Sequence, residues 1–186
     1  MVKLNKIYTR TGDGGSAGLV DGSRVSKSSL RMAAIGEVDE ANAAIGVAIA
    51  AVGSGDVPKQ LLTIQNDLFD LGADIATPGK VDGALRIVAG QLKRLEQEID
   101  AMNASLEPLT SFVLPSGSAG VSALHLARAV VRRAERAAVA LSEQEALNPQ
   151  LLAYLNRLSD HLFVAARFLA AQQGGDVLWQ PGATRT

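Results

Sequence analysis

The sequence contains no cysteine, which excludes disulfide bonds, thiolate nucleophiles and cysteine-bound zinc or iron–sulfur centres. Its formal net charge is only −1, which argues against a nucleic-acid binder that depends on a global basic field. No apolar run reaches the length of a membrane span, and the N-terminus lacks the apolar stretch of a secretory signal. We therefore expect a cytoplasmic protein that binds neither nucleic acid nor a membrane.

Aromatic residues make up only 4% of the 186 residues, whereas apolar residues make up 47% and alanine is abundant. Alanine has the best helix propensity, so this composition favours helices. In five segments the apolar residues recur three and four residues apart, as they do on one face of an α-helix. These predicted helices lie near Ser28–Val52, Lys59–Ala76, Ala89–Ser105, Gly120–Leu141 and Pro149–Gly174, and a short extended piece is predicted at Ser111–Leu114.

The pattern predicts an all-α, five-helix up-and-down bundle. We expect a single domain over residues 1–186, with an opening loop at 1–27, the bundle at 28–173 and a C-terminal tail at 174–186. Several helices carry apolar residues on wide arcs, which suggests that bundles pack against each other as an oligomer. The sequence does not fix the order in which the helices pack.

The fourth helix carries a basic stripe beside its apolar face. Three arginines that share one sector of a helix repel one another and need anions nearby. Guanidinium groups hold phosphate oxygens in pairs, so a polyphosphate is a natural ligand. The alternative is a solvated surface in which glutamate neutralises the arginines. The stripe consists of His125, Arg128, Arg132, Glu135 and Arg136.

Polar residues on three other helices have less certain meanings. Asn156 and Asp160 are poor choices for a helix interior unless they hydrogen-bond something, either a ligand or a structural partner such as an arginine of the fourth helix. Asp39 of the first helix can pair with such an arginine or belong to a solvated acidic patch. For the second helix we expect a solvated face that carries Asp67, Asp70 and Asp74.

The opening segment, KIYTRTGDGG, is basic and rich in hydroxyls and glycine. It does not follow a strand or open a helix, so the near match to a dinucleotide fingerprint is rejected. Its glycines still let backbone amides approach phosphates, while threonine hydroxyls and the charges of Lys6, Arg10 and Lys27 lie close in sequence. A flexible terminus with accidental glycines is the competing interpretation.

Five segments carry a family resemblance, in this order: KIYTRTGDGG, GEVDEANAAIG, FVLPSGS, ALHLARAVVRRAER and YLNRLSDHLFVAAR. From about Lys3 to Arg167 the sequence strongly resembles the PduO-type ATP:cob(I)alamin adenosyltransferases. The resemblance implies a homotrimer of five-helix bundles with active sites between subunits. It implies transfer of the 5′-deoxyadenosyl group of ATP to the cobalt of reduced cobalamin, with triphosphate as co-product and Mg²⁺ assisting. A cobalamin reductase and an adenosylcobalamin-dependent mutase are the further partners expected.

The resemblance also implies roles for individual residues, although it assigns no metal ligand. Phe112 matches the aromatic residue that displaces the lower axial ligand and leaves the cobalt four-coordinate. Arg128 matches the arginine that pairs with the first-helix aspartate, here Asp39. The implied nucleotide contacts are Thr9, Arg10, Thr11, Gly12, Asp13, Ser16, Lys27, Arg132, Glu135, Arg136 and Asn156.

The sequence departs from the family in the opening loop, which often reads DxGTT or DxGQT but here reads DGGSAG. Ser16 keeps one hydroxyl and Ala17 loses one, so a contact to triphosphate or magnesium is missing or replaced. An ATP-regulated carrier of adenosylcobalamin without turnover is the alternative function. A ferritin-like di-iron bundle needs Glu-x-x-His pairs, but Ser122 and Leu158 stand three residues before the two histidines.

Overall fold

A computed structural model describes residues 7–185, so Lys6 of the opening segment lies outside the described residues. All five predicted helices are present, and their ends differ from the predicted ones by at most three residues. The sequence did not predict the small antiparallel sheet that precedes them. The elements are β1 (Ser16–Gly18), β2 (Arg24–Ser26), α1 (Leu30–Val52), α2 (Asp56–Ile75), α3 (Ala89–Asn103), α4 (Ala119–Ser142) and α5 (Pro149–Ala171).

Side-chain caps set the starts of the three central helices. The hydroxyl of Ser29 accepts from the amide of the third residue of α1, and Ser118 does the same for α4. Asn148 caps α5 and is followed by Pro149, whose fixed φ suits a first turn. Because α5 begins at a cap, the register that places Asn156 and Phe163 on its surface is fixed locally.

Consecutive helices alternate in direction along the chain. Arg31, in the first turn of α1, donates to the carbonyl of Ile75, at the end of α2. A side chain at Gly120, where α4 begins, would meet Leu169 near the end of α5 and the carbonyl of Ala51 near the end of α1. The helix α4 therefore lies between α1 and α5 and runs antiparallel to both.

The neighbours in space are not the neighbours in sequence. α3 packs against α5 and not against α4. It runs parallel to α5, because the side-chain contacts Glu96–Arg157 and Glu98–His161 advance together along both helices. The main packing partners are α2 with α1, α1 with α4, α4 with α5 and α5 with α3, so α4 lies between α1 and α5, while Asp67 of α2 also reaches α3 and α5. None of the helices within residues 7–185 is long and apolar enough to cross a membrane.

The expectation of a solvated acidic face on α2 is wrong for two of its three aspartates. Asp67 and Asp74 are 6% and 1% exposed. Asp67 pairs with Arg94 and accepts a 2.6 Å hydrogen bond from the hydroxyl of Tyr154, while Asp74 lies 2.7 Å from Nη1 of Arg86. Buried carboxylates need such partners, which lie on α3, α5 and the 77–88 loop and so were invisible on the helix itself.

Residues 16–26, which follow the opening segment, form a hairpin that is attached to the bundle. β1 and β2 pair with Ser16 opposite Ser26 and Gly18 opposite Arg24. The turn between them contains Asp-Gly, a residue pair that favours hairpins. The amide of Val20 donates to the carbonyl of Ala76, just beyond α2, at 3.0 Å. The turn of the hairpin is therefore attached to the end of α2.

Candidate functional site

The residues before the hairpin form two successive turns stabilised by backbone hydrogen bonds. The amide of Asp13 donates to the carbonyl of Arg10 at 3.2 Å, and that of Gly15 donates to Gly12 at 3.1 Å. Arg10 adopts φ 63°, a left-handed conformation that is uncommon outside glycine. The hydroxyls of Thr9 and Thr11 lie 2.9 Å apart. All five predicted nucleotide contacts in residues 9–13 are thereby grouped on one exposed loop.

Lys27 lies over this loop. Its amide donates to the carbonyl of Gly15 at 2.9 Å, and its Nζ would lie 3.1 Å from a Cβ added at Gly12. A side chain at Gly12 would therefore displace the ammonium group. The structure brings this predicted cation to the predicted glycine, on the same surface as exposed threonine hydroxyls, and such a surface suits an anion.

Arg24 was not predicted as a site residue, yet it makes the most hydrogen bonds to the loop. Its guanidinium donates to the carbonyl of Thr11 at 2.7 Å and to the hydroxyl of Ser16 at 2.8 Å and 3.1 Å. The signal available in the sequence was the Asp-Gly turn, which would have placed Arg24 and Ser16 on paired strands.

The outer part of the basic stripe lies on the solvent side of α4. Arg132 and Arg136 are exposed, and Nη1 of Arg136 donates to the carbonyl of Arg132 at 2.9 Å. Glu135 accepts a 3.0 Å hydrogen bond from Nδ2 of Asn156 on α5. The structure therefore brings four of the predicted nucleotide contacts into one patch across α4 and α5, and neither arginine is ion-paired among the described residues.

The inner part of the stripe consists of a buried histidine and a half-buried arginine. His125 is 2% exposed, and its ring lies 6.2 Å from that of Phe163 on α5. The guanidinium of Arg128 stacks 5.9 Å from the centre of the same ring. Within residues 7–185, neither ring nitrogen of His125 nor Nε of Arg128 has a hydrogen-bond partner. Burial, together with the charge of Arg128, lowers the pKa of His125, so the imidazole stays neutral.

Asp39 and Arg128 do not meet within one chain. Asp39 is exposed on α1, and no hydrogen bond or ion pair of the described chain joins it to α4. The acidic residues beside it have a different partner, because Arg133 of α4 pairs with both Glu37 and Glu40. The predicted pairing of Asp39 with Arg128 therefore stays a prediction.

Phe112 stands 76% exposed on the extended segment between α3 and α4. The C-terminal tail lies alongside this segment: the amide of Trp179 donates to the carbonyl of Phe112 at 2.8 Å, and Val113 and Leu178 form an antiparallel bridge. The rings of Phe112 and Trp179 lie 6.0 Å apart. We call residues 111–114 and 177–179 the tail ribbon.

A cavity of about 480 Å³ opens beside the tail ribbon. Residues 109–113 line one side, and Arg128 and Phe163 line the other. Its walls are mainly apolar and aromatic, with one half-buried cation, Arg128, whose Nε lacks a hydrogen-bond partner among the described residues. A cavity of this volume and lining suits a mainly apolar small-molecule ligand with a few polar groups.

No hydrogen bond or ion pair of the described residues joins residues 9–27 to α4. The described part of one chain therefore carries a loop with exposed hydroxyls and Lys27, a basic patch without an ion pair and an aromatic cavity, with no hydrogen bond joining the loop to α4. No group of three His, Cys, Asp or Glu side chains in the described part of the chain could hold a metal ion.

Known proteins are similar to this chain in sequence over nearly all of its length. A family profile described as cobalamin adenosyltransferase matches residues 7–169. A corrinoid adenosyltransferase of Mycobacterium tuberculosis is 50% identical over 192 residues, which cover 100% of this chain and 98% of the relative. The corresponding protein of Bacillus subtilis is 44% identical over 183 residues, or 96% and 94% of the two chains.

Solved structures agree with these sequence relatives. A variant PduO-type ATP:corrinoid adenosyltransferase from Lactobacillus reuteri, complexed with cobalamin and ATP, superposes with a TM-score of 0.89 at 36% identity. The match covers 94% of this chain and 99% of that one. Another variant of that protein, complexed with ATP, gives a TM-score of 0.85 at 36% identity and covers 94% and 100% of the two chains.

Proposed function

Because the chain belongs to the cobalamin adenosyltransferase family, we infer that it is an ATP:corrinoid adenosyltransferase. It transfers the 5′-deoxyadenosyl group of ATP to the cobalt of cob(I)alamin and releases triphosphate. One observation supports this most directly: a chain that matches the family along its length carries an unpaired arginine patch on α4 beside an aromatic cavity.

The reaction itself asks little of the protein in the way of bond-making groups. Cob(I)alamin is a strong nucleophile that attacks the 5′ carbon of ATP, the carbon–oxygen bond to triphosphate breaks, and a cobalt–carbon bond forms. A protein nucleophile is unnecessary, which fits a chain without cysteine. What remains is to position the two substrates and to stabilise the charge that develops on triphosphate.

We assign the nucleotide to the opening loop and the arginine patch. The exposed guanidinium groups of Arg132 and Arg136 bind phosphate oxygens, and Lys27 adds a third charge from the loop. Glu135 and Asn156, already joined by a 3.0 Å hydrogen bond, orient the nucleoside. Each charge-assisted hydrogen bond is worth about 1.5–3 kcal/mol, so removing one arginine should slow the reaction about ten- to a hundredfold.

We assign the corrinoid to the cavity beside the tail ribbon. Phe112, exposed at its wall, excludes the lower axial ligand and water from the cobalt, which makes reduction of Co(II) easier. Phe163 and Trp179 extend this aromatic surface. The electronic properties belong to the corrinoid, while the contribution of the protein is steric and dielectric.

We propose that the active unit is a homotrimer with the sites between subunits. The loop and the arginine patch share no hydrogen bond or ion pair within the described residues of one chain, and a neighbouring subunit would bring one to the other. The same contact pairs the exposed Asp39 of one subunit with Arg128 of the next. An ion pair there satisfies an arginine that the single chain leaves with an unpaired, buried Nε. Residues 1–186 act as one domain in this assembly.

Magnesium fits this site as part of the substrate. Mg²⁺ is commonly held by one or two carboxylates together with phosphate oxygens and water. Asp13 is the carboxylate of the opening loop, so we propose that the ion enters as MgATP and assists departure of triphosphate. Because the reaction consumes ATP, we place it in the cytoplasm, with a cobalamin reductase as supplier and an adenosylcobalamin-dependent mutase as consumer.

The test is an anaerobic reaction of the purified protein with MgATP and chemically reduced cob(I)alamin. Equal amounts of adenosylcobalamin and triphosphate are expected. Arg132→Ala should lower kcat/KM for ATP at least tenfold, whereas the matched control Arg157→Ala, which removes an arginine from the far side of α5, should not. Tight binding of ATP and adenosylcobalamin without product formation would refute the transferase and favour the carrier.

A further inference from the structure

Arg24 reaches across the hairpin to the opening loop. It stands opposite Gly18 in the register of β1 and β2, and a Cβ at Gly18 would lie 3.9 Å from its Nη1. The side chain therefore runs along the bare face of β1 towards Ser16, two residues away on the same face. There its Nη2 donates to the carbonyls of Thr11 and Ser16 at 2.7 Å and 3.1 Å.

The same guanidinium fixes the role of the Ser16 hydroxyl. Nε and Nη2 both donate to Oγ of Ser16, at 3.1 Å and 2.8 Å. A serine hydroxyl has two acceptor lone pairs and one proton to donate. Because a guanidinium has only donors, the hydroxyl can only accept from Arg24, so its proton points away from Arg24 and is available to an acceptor such as a phosphate oxygen.

The contacts of Arg24 with the loop do not neutralise its charge. Its partners are neutral oxygens, and no carboxylate within residues 7–185 forms an ion pair with it. Ala17, which lacks the hydroxyl that related loops carry, lies opposite Val25 on the other face of the hairpin. The guanidinium of Arg24 and the hydroxyl of Ser16 therefore lie on the same face of the hairpin, the face that contacts the 9–13 loop through Thr11.

We propose that Arg24 is a positioning residue for ATP. It fixes the span from Thr11 to Ser16, leaves the Ser16 hydroxyl free to donate to a phosphate oxygen and adds positive potential on that face of the hairpin. This inference deepens the proposed function and rests on the assignment of the nucleotide to the opening loop.

The test is a double-mutant cycle with Arg24→Ala, Ser16→Ala and the double variant. MgATP affinity is measured by calorimetry, and KM and kcat are measured with cob(I)alamin. In Arg24→Ala we expect Kd and KM for ATP to rise together by about tenfold, the effect of losing one net charge-assisted hydrogen bond. The value of kcat at saturating ATP should change by less than about twofold, because the arginines of α4 still face the triphosphate.

Coupling separates positioning from mere hairpin stability. Ser16→Ala should weaken ATP binding in the native background but add little to Arg24→Ala, because its hydroxyl is oriented only when Arg24 is present. Arg24→Lys should restore part of the affinity, since an ammonium offers charge but no fork to bridge Thr11 and Ser16. The control Arg157→Ala should leave Kd unchanged.

Two results would overturn the proposal: an Arg24→Ala protein that binds MgATP within about twofold of the native Kd, or effects of the two substitutions that multiply independently. Failure of the proposed function would look different. If the native protein bound MgATP but formed no adenosylcobalamin, the transferase activity would be refuted, while the Kd measurements would still test the role of Arg24.

Discussion

Replacing Asp74 by Asn should destabilise the protein without altering its affinity for ATP. The carboxylate is 1% exposed and faces three donors: Nη1 of Arg86 at 2.7 Å, the amide of Ile87 at 2.9 Å and Nδ2 of Asn148 at 2.8 Å. Asparagine has the same shape but offers only one acceptor oxygen. Whichever way its amide turns, an NH₂ group must face a donor.

The magnitude follows from which contacts survive. Removing one partner of a buried ion pair costs about 3–5 kcal/mol. Arg86 is 27% exposed and keeps the carbonyls of residues 74, 77 and 79, so the lower end of that range, about 3 kcal/mol, is expected. For a chain of this size that is a fall in Tm of about 6–12 °C.

The assay is thermal unfolding at matched protein concentration, because subunit association also contributes to Tm. Asp70→Asn is the matched control, since Asp70 lies one turn away on α2 and accepts only a 3.3 Å hydrogen bond from Gln91. Its cost should stay below about 0.5 kcal/mol. If Asp74→Asn melted together with Asp70→Asn, the buried carboxylate would not be stabilising the junction of α2 and α5.

Three further outcomes are expected. Gly120→Ala should lower Tm despite the better helix propensity of alanine, because its Cβ would lie 2.9 Å from Leu169; a higher Tm would show that the helices can separate without cost. His125 has a lowered pKa in the folded protein, so the unfolded chain takes up a proton first as pH falls below about 6.5. Stability should therefore fall between pH 7 and pH 5 by more in the native protein than in His125→Gln, as urea titrations at each pH would reveal; equal losses would contradict the neutral imidazole. Phe112→Ala should bind ATP normally but turn over slowly from Co(II), and normal turnover in a coupled reduction assay would remove its ligand-excluding role.

The sequence predicted the helices well because their apolar spacing and caps are local. Pro149 after Asn148 marks the start of α5, and both occupy the expected cap positions. The hairpin was missed because only three residues of each strand pair, which is too short for an alternating pattern to stand out from glycine-rich sequence. The buried state of Asp67 and Asp74 was missed because their cationic partners come from other elements.

The candidate site shows the same division. The arginine patch followed from spacing on one helix, and its link to Asn156 of α5 is a contact between adjacent helices. The placement of Trp179 beside Phe112 required the fold, since nothing in the tail itself predicts a partner 67 residues earlier. Arg24 needed the strand register, because its role depends on a diagonal contact across the hairpin.

The tail ribbon has a consequence for biosynthesis. Ser111 and Trp179, joined by a 2.7 Å hydrogen bond, are 68 residues apart, and the last bundle helix ends at Ala171. All five helices are therefore encoded before the residues that pair with the segment around Phe112. A polypeptide that ended shortly after Ala171 would keep all five helices, while the proposed corrinoid-binding face would lack the wall that residues 177–179 form.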